Sequence, residues 1–239
     1  MMQFEHEIIL AVLKLAKNGP IQKNLIAKEA HTSIPATDEL LRTLDAKGFI
    51  QLKGKFLEIA PNQKLSLAVE AIRRGSDIER VCKYLEWEEF ENFAAEAFET
   101  NHYRVKRNFH FKTHGKRWEI DLLAFKQPII ACVDCKHWQH CWSKTAIMKT
   151  AETQAERTRA LACKLENFVD ALGLNNWNQA TLIPVVLSLV PGTFKFHNNT
   201  PVVPVIQVQN FINELPAHLY LLTRFSTIIH FENKKLTEF

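Results

Sequence analysis

The sequence predicts an α/β domain with a mixed sheet flanked by helices, preceded by a small helical unit that closes on a hairpin. Three observations carry this. Helical apolar spacing dominates the first hundred residues, the period changes to strand-like alternation from Tyr103 onward, and an unbroken apolar run at Ile129-Ile130-Ala131-Cys132-Val133 has the character of a buried central strand. Strands that alternate with a long helix belong to a mixed sheet covered by helices.

In the first unit, Phe4, Ile8, Leu10, Val12, Leu13 and Leu15 form a helical stripe that stops at Asn18-Gly19-Pro20. A second short helix is expected over Ile21 to Ala30. After His31-Thr32-Ser33-Ile34-Pro35 a third carries Leu40, Leu41 and Leu44 and stops at Gly48. Phe49 to Leu52 and Phe56 to Ile59 alternate around Lys53-Gly54-Lys55, a hairpin signal. Three helices and a hairpin with a basic tip are the order of a winged helix-turn-helix. In that arrangement the third helix enters the DNA major groove and Lys53 and Lys55 touch phosphate. The third helix carries Asp38, Glu39 and Asp45 beside Arg42 and Lys47, poor electrostatics for DNA, so a protein-contact role is the alternative.

Pro61 to Gly75 is a further helix, and Ser76-Asp77 has the character of a cap, so the expected domains are 1–75 and 76–239. A helix from about Asp77 to Thr100 bears Phe90, Phe93, Ala94, Ala97 and Phe98. Tyr103 to Val105 and Asn108 to Lys112 alternate, His114-Gly115-Lys116 is a turn, and Trp118 to Phe125 and Ile129 to Lys136 are strands separated by Pro128. A helix over roughly Lys144 to Leu172, strands over Leu182 to Val190 and Val202 to Ile206, and a helix over Val208 to Leu215 complete the domain.

Composition narrows the class. With 46% hydrophobic and 23% charged residues the chain is an ordinary globular protein, and no apolar run approaches the roughly 20 residues of a membrane-spanning helix. The acidic N-terminus has no signal-peptide character, and five irregularly spaced cysteines suit a reducing compartment, so the expectation is cytoplasmic. Net charge is +4 but uneven: Ser76 to Thr100 has eight acids against two bases (−6), while Asn101 to Lys164 has thirteen bases against five acids (+8). Such a basic stretch suits a polyanion, although solvated charge is the commoner cause of such runs.

The chemistry centres on Asp121 and on Asp134-Cys135-Lys136. Alternate residues of a strand share a face, so Asp134 and Lys136 point one way, and Asp121 on the preceding strand can be brought opposite. Grouped carboxylates suit a hard cation such as Mg²⁺, which can acidify water and polarise a phosphodiester, with a lysine nearby to orient water or offset charge.

These residues resemble the PD-(D/E)xK motif of restriction-endonuclease-like nucleases, and within them the Mrr-type endonucleases and archaeal Holliday-junction resolvases. Trp87-Glu88-Glu89-Phe90-Glu91 resembles the opening of the family's first helix, Tyr103-Arg104-Val105 its first strand, and Cys135-Lys136-His137-Trp138 the continuation after the second acid. Pro201 to Leu215 is similar to the closing strand and helix of archaeal members. The likeness covers roughly Trp87 to Leu215; Ile120 replaces the proline of the motif and Asp134 its more frequent Glu.

The resemblance implies a restriction-endonuclease-like mixed sheet and a divalent-metal-dependent endonuclease acting on DNA, double-stranded or branched. Mg²⁺ or Mn²⁺ would be held by Glu91, Asp121 and Asp134, with Lys136 handling water or charge and Gln154 supporting the site. Glu88, Glu89 and Glu96 compete with Glu91, Glu119 is either a further ligand or an ion-pair partner, and Gln154 is alternatively an ordinary exposed helix residue. Arg104, Lys106, Arg107, Lys112, Lys116 and Arg117 are the candidate phosphate contacts, and cutting both strands with one site per chain favours a homodimer. The alternatives are a non-catalytic DNA-binding or regulatory protein on the same fold, or an RNA endonuclease. A rival Zn²⁺ reading of Cys132, Cys135, His137, His140 and Cys141 conflicts with the strand, on which Cys132 and Cys135 face opposite sides.

Overall fold

A computed structural model describes residues 4–16, 19–77, 80–81, 83–113, 115–136, 143–189 and 194–229. These fall into two compact units, one up to Ala94 and one from Ala95. The expected boundary at Ser76 lies inside the first.

The first unit holds the helices α1 (Glu5–Leu15), α2 (Lys23–Glu29), α3 (Ile34–Ala46) and α4 (Pro61–Arg73) and a small sheet of β1 (Ile21–Gln22), β2 (Gln51–Lys53) and β3 (Phe56–Glu58), ordered β1-β3-β2. The apolar stripes are buried as their spacing requires: Ile8 to Leu13 on α1, and Leu40, Leu41 and Leu44 on α3. The α3 helix starts where Ser33 caps it, its hydroxyl accepting from the Ala36 N–H at 3.4 Å. Gly54 takes φ 60° at the hairpin tip, a conformation that glycine adopts without cost. Ile21 and Gln22, expected in a helix, form a strand because Ile21 pairs with Leu57 and is buried there. The helix expected from about Asp77 to Thr100 is interrupted: Arg80 and Val81 are helical, residues 83–84 form a turn, and the helix α5 (Trp87–Thr100) follows.

The second unit is built on a sheet with seven strands among the described residues. The path is β4 (Arg104–Thr113), β5 (Lys116–Lys126), β6 (Ile129–Lys136), β7 (Gln179–Ser188), β9 (Thr200–Pro204) and β8 (Phe196–His197), with β10 (Phe225–Ile228) pairing the start of β7. β4, β5 and β6 run antiparallel; β6, β7 and β9 are parallel. Every residue of β6 before Lys136 is buried, as the apolar run predicts of a central strand.

The helix α6 (Lys144–Ala162) lies over this sheet. Its buried positions Ile147, Ala151, Gln154, Thr158 and Leu161 follow helical spacing, and Ile147 and Ala151 pack on Val186 and Val202. Expected to reach Leu172, the helix ends at Ala162; the chain turns so that Leu165 and Phe168 pack on Phe109 and Phe111 before a short helix, α7 (Val169–Leu172). The helix α8 (Val208–Glu214) follows β9. Two strands went unforeseen, β8 and β10; both are short and acquire strand geometry by pairing with a neighbour.

The expected strands over Tyr103–Val105 and Asn108–Lys112 are one strand with a local irregularity. Arg107 pairs with Leu122 and Phe109 with Ile120, but the intervening pair, Asn108 with Asp121, is missing and Asn108 has φ 50°. Ile120 and Leu123 lie in the same buried cluster although three residues apart. On a regular strand they would face opposite sides, so the alternation shifts phase across Asp121 and Leu122.

Candidate active site

The site lies where β5 and β6 part. The last paired residues are Leu122 and Val133, and the next pair in register would be Asp121 with Asp134. There the strands separate, and the Asp121 carboxylate takes the ladder's place: its Oδ2 accepts the N–H of Cys135 at 2.7 Å. An acid in the middle of β5, where its pairing with β6 ends, is thereby fixed against the backbone of the Asp134-Cys135-Lys136 segment.

Asp134 is 1% exposed, a carboxylate that survives burial only because cations hold it. Arg157 Nη1 lies 2.5 Å from Oδ1, and Lys136 Nζ lies 3.0 Å from Oδ2. Oδ2 is thus a buried oxygen with an ion-pair contact to Lys136 and no hydrogen bond among the described residues. Lys136, at the end of the strand, is a quarter exposed. Asp134 and Lys136 are two apart on the strand and meet as its alternation predicts.

Gln154 is fully buried, which excludes the ordinary exposed helix residue. Its Nε2 donates to the Cys132 carbonyl at 2.7 Å, and its Oε1 accepts from Arg157 at 3.4 Å. It braces Arg157 and ties helix to strand, a supporting position rather than one on the reacting atoms. Arg157 was not singled out from the sequence. The signal was present, since Gln154, Arg157, Thr158 and Leu161 follow the spacing of the buried face, and a cation there needs an anion beneath it.

The remaining expectations divide. Glu91, with its rivals Glu88 and Glu89, lies on α5 within the first unit, whereas Asp121, Asp134, Lys136, Gln154 and Arg157 belong to the second. Among the described residues no group of three or more His, Cys, Asp or Glu side chains is assembled for a metal ion. The two carboxylates, with Asp134 Oδ2 held by the Lys136 ion pair alone, nevertheless fit one hard divalent cation that keeps several waters. Cys132 and Cys135 are both buried on β6, and burial pushes the Cys132 thiol up to about 12 against the opposing pull of its hydrogen bond with Thr158. His114, His137, Trp138, His140, Cys141 and Val190 lie outside the described residues.

Of the basic candidates, Arg104 and Lys106 are occupied by the fold. Arg104 donates to the Leu172 carbonyl at 2.5 Å with its guanidinium 4.2 Å from the Phe125 ring, and Lys106 donates to the Ala171 carbonyl at 2.9 Å. Lys116 stands 3.7 Å over Trp118, and Glu119 lies 3.9 Å from His110, the position of an ion-pair partner. Lys112 and Arg117 are exposed cross-strand neighbours. In the first unit Lys53 pairs with Glu58 at 2.6 Å, and Lys55 is exposed.

Residues 85–229 match the model of the nuclease-related domain (NERD) family. The chain belongs to that family. An uncharacterized protein of Archaeoglobus fulgidus is 28% identical over 137 residues, which make up 57% of this chain and 95% of that protein. Among solved structures, protein VC1899 from Vibrio cholerae covers 90% of this chain at 12% identity and a TM-score of 0.37, and the restriction endonuclease FokI covers 89% at 15% and 0.34. The chain spans only 50% and 44% of those two proteins. Membership of the NERD family agrees with the nuclease resemblance read from Asp121 and Asp134-Cys135-Lys136, and the mixed, helix-flanked sheet is the architecture that resemblance implies. No helix among the described residues of this NERD chain is long and apolar enough to cross a membrane.

Proposed function

We propose that this NERD chain is a divalent-metal-dependent endonuclease that hydrolyses DNA phosphodiester bonds. The observation that carries the reading is the buried Asp134, whose Oδ2 has no hydrogen bond, beside Lys136 and across the parted strands from Asp121. Asp121 and Asp134 would hold Mg²⁺ or Mn²⁺, with Glu91 as a third ligand on the strength of the family resemblance. The ion, when bound, would polarise the phosphodiester and acidify a water. Lys136 orients the attacking water or offsets the charge that develops on the phosphate. The water oxygen bonds to phosphorus, its proton passes to solvent, one ester P–O bond breaks, and the leaving oxygen takes up a proton. Gln154 keeps helix and strand in register beneath these groups.

Double-stranded or branched DNA is the proposed substrate, in the cytoplasm, with a homodimer where both strands are cut. The first unit, read as a winged helix-turn-helix, is proposed to hold the substrate. The double pairing of Asp134 by Arg157 and Lys136 favours one second reading, a non-catalytic protein that binds phosphate on the same fold.

The experiment is a Mg²⁺ and Mn²⁺ titration of cleavage over plasmid, junction, flap and single-stranded DNA and RNA. Asp134→Asn and Lys136→Ala should each lower the rate by at least about 10²-fold, and Glu91→Gln by about tenfold or more. Salt-dependent DNA binding with no cleavage of any substrate would replace the endonuclease by the second reading, and cleavage of RNA alone would change the polymer.

A further inference from the structure

The buried carboxylate of the site is shared by two cations, and one of them comes from the helix rather than from the motif. Arg157 Nη1 holds Asp134 Oδ1 at 2.5 Å while Lys136 stands 3.0 Å from Oδ2. The guanidinium is itself held, since it donates to Gln154 Oε1 at 3.4 Å and Gln154 is anchored on the Cys132 carbonyl. Arg157 is about a quarter exposed, so this is a fixed cation at the edge of the site rather than a buried core pair.

Two acids, Asp121 and Asp134, and two bases, Lys136 and Arg157, leave this group of four with no formal net charge. A bare divalent ion approaching Asp134 therefore meets two positive charges at contact distance from the carboxylate that would bind it, in surroundings that screen charge poorly. A phosphate arriving with the ion reverses the balance, because its negative charge faces the ion and both cations at once.

We propose that Arg157 is a counter-cation of the cutting centre that weakens metal binding to the free protein and makes it depend on the substrate phosphate. This rests on the metal-dependent reading above. Arg157 acts through Asp134 and is a tuning and positioning residue. Its removal therefore has a distinctive sign: loss of a merely structural contact would weaken metal binding, whereas loss of a competing charge strengthens it.

The test is Mn²⁺ binding to the metal-free full chain, read by paramagnetic resonance of free Mn²⁺, with and without a cleavage-resistant phosphorothioate duplex. The wild-type protein should bind Mn²⁺ at least about tenfold more tightly with the duplex. Arg157→Met and Arg157→Gln should bind Mn²⁺ about tenfold more tightly than wild type without the duplex, and gain less than about threefold from it. Arg157→Lys, which keeps the charge, should stay within about threefold of wild type. Thermal unfolding checks that each variant is folded, and the glutamine, which keeps a hydrogen-bonding group, serves if the methionine variant does not fold. Mn²⁺ binding that is abolished by Asp134→Asn, yet unchanged or weakened in both neutral Arg157 variants, overturns the role of Arg157 and leaves the metal centre standing. Absence of Mn²⁺ binding under all conditions, or binding indifferent to Asp134→Asn, overturns the metal-dependent reading and this inference with it.

Discussion

Asp134 shows how a residue's chemistry is set by what surrounds it. The same carboxylate on an exposed strand would be solvated; here it is 1% exposed and held between Arg157 and Lys136. Cys132, two residues earlier on the same strand, is the opposite case. Burial lifts its thiol to about 12, so it stays protonated and unreactive over the physiological range. Iodoacetamide at pH 8 should label the exposed Cys163 in the native protein and reach Cys132 only after unfolding, as peptide mass mapping would show. The sign of the pH effect follows. The unfolded thiol, near 9.0, loses its proton before the folded one does, so the stability that Cys132 contributes is complete below 9 and falls as pH rises toward 12. Over that interval the wild type should lose stability faster than Cys132→Ala, by up to about 1.4 kcal/mol per pH unit, measured by urea unfolding.

At the scale of elements, the phase shift in β5 opposite Asn108 carries the most consequence. Alternation alone predicts a regular strand through Asp121; the structure breaks the β4–β5 pairing there and opens the β5–β6 pairing just beyond Leu122. Asn108 absorbs the irregularity with φ 50°, a conformation that asparagine tolerates and β-branched residues do not. Asn108→Val should therefore cost about 1–2 kcal/mol, and Asn108→Gly less. Equilibrium denaturation measures the difference, and equal losses in the two variants would show that backbone geometry is not the cause. The elements misread from sequence share one origin. Ile21–Gln22, β8 and β10 have too few residues to declare a period, and the helix expected to reach Leu172 ends where Leu165 and Phe168 are drawn onto Phe109 and Phe111. Pairing partners distant in sequence decide such segments, and local propensity does not contain them.

For the molecule as a whole, charge distribution bears on binding. The basic stretch suggested six phosphate contacts in the second unit, but Arg104 and Lys106 are engaged with backbone carbonyls and Lys116 with Trp118. Lys112 and Arg117, side by side across the exposed hairpin, are the better candidates. If both contact phosphate, replacing the pair with alanine should reduce the slope of log affinity against log salt by about 1.8, measured by fluorescence anisotropy on duplex DNA. An unchanged slope would place the phosphate contacts elsewhere.

The sequence by itself determined the class of the second unit and its central strand, and it singled out three residues that the fold brings to one place. Asp121, Asp134 and Lys136 could be found because strand alternation and motif spacing are local properties, readable from neighbours in the chain. Membership of the NERD family agrees with the nuclease resemblance of the second unit and does not bear on single residues. Tertiary structure decided the rest: that Asp121 replaces a missing ladder bond, that Gln154 is a buried brace, and that Arg157 reaches across 23 residues of sequence to share the carboxylate of Asp134. The physical reason is that an ion pair between a helix and a strand depends on how the two pack, which no local period records.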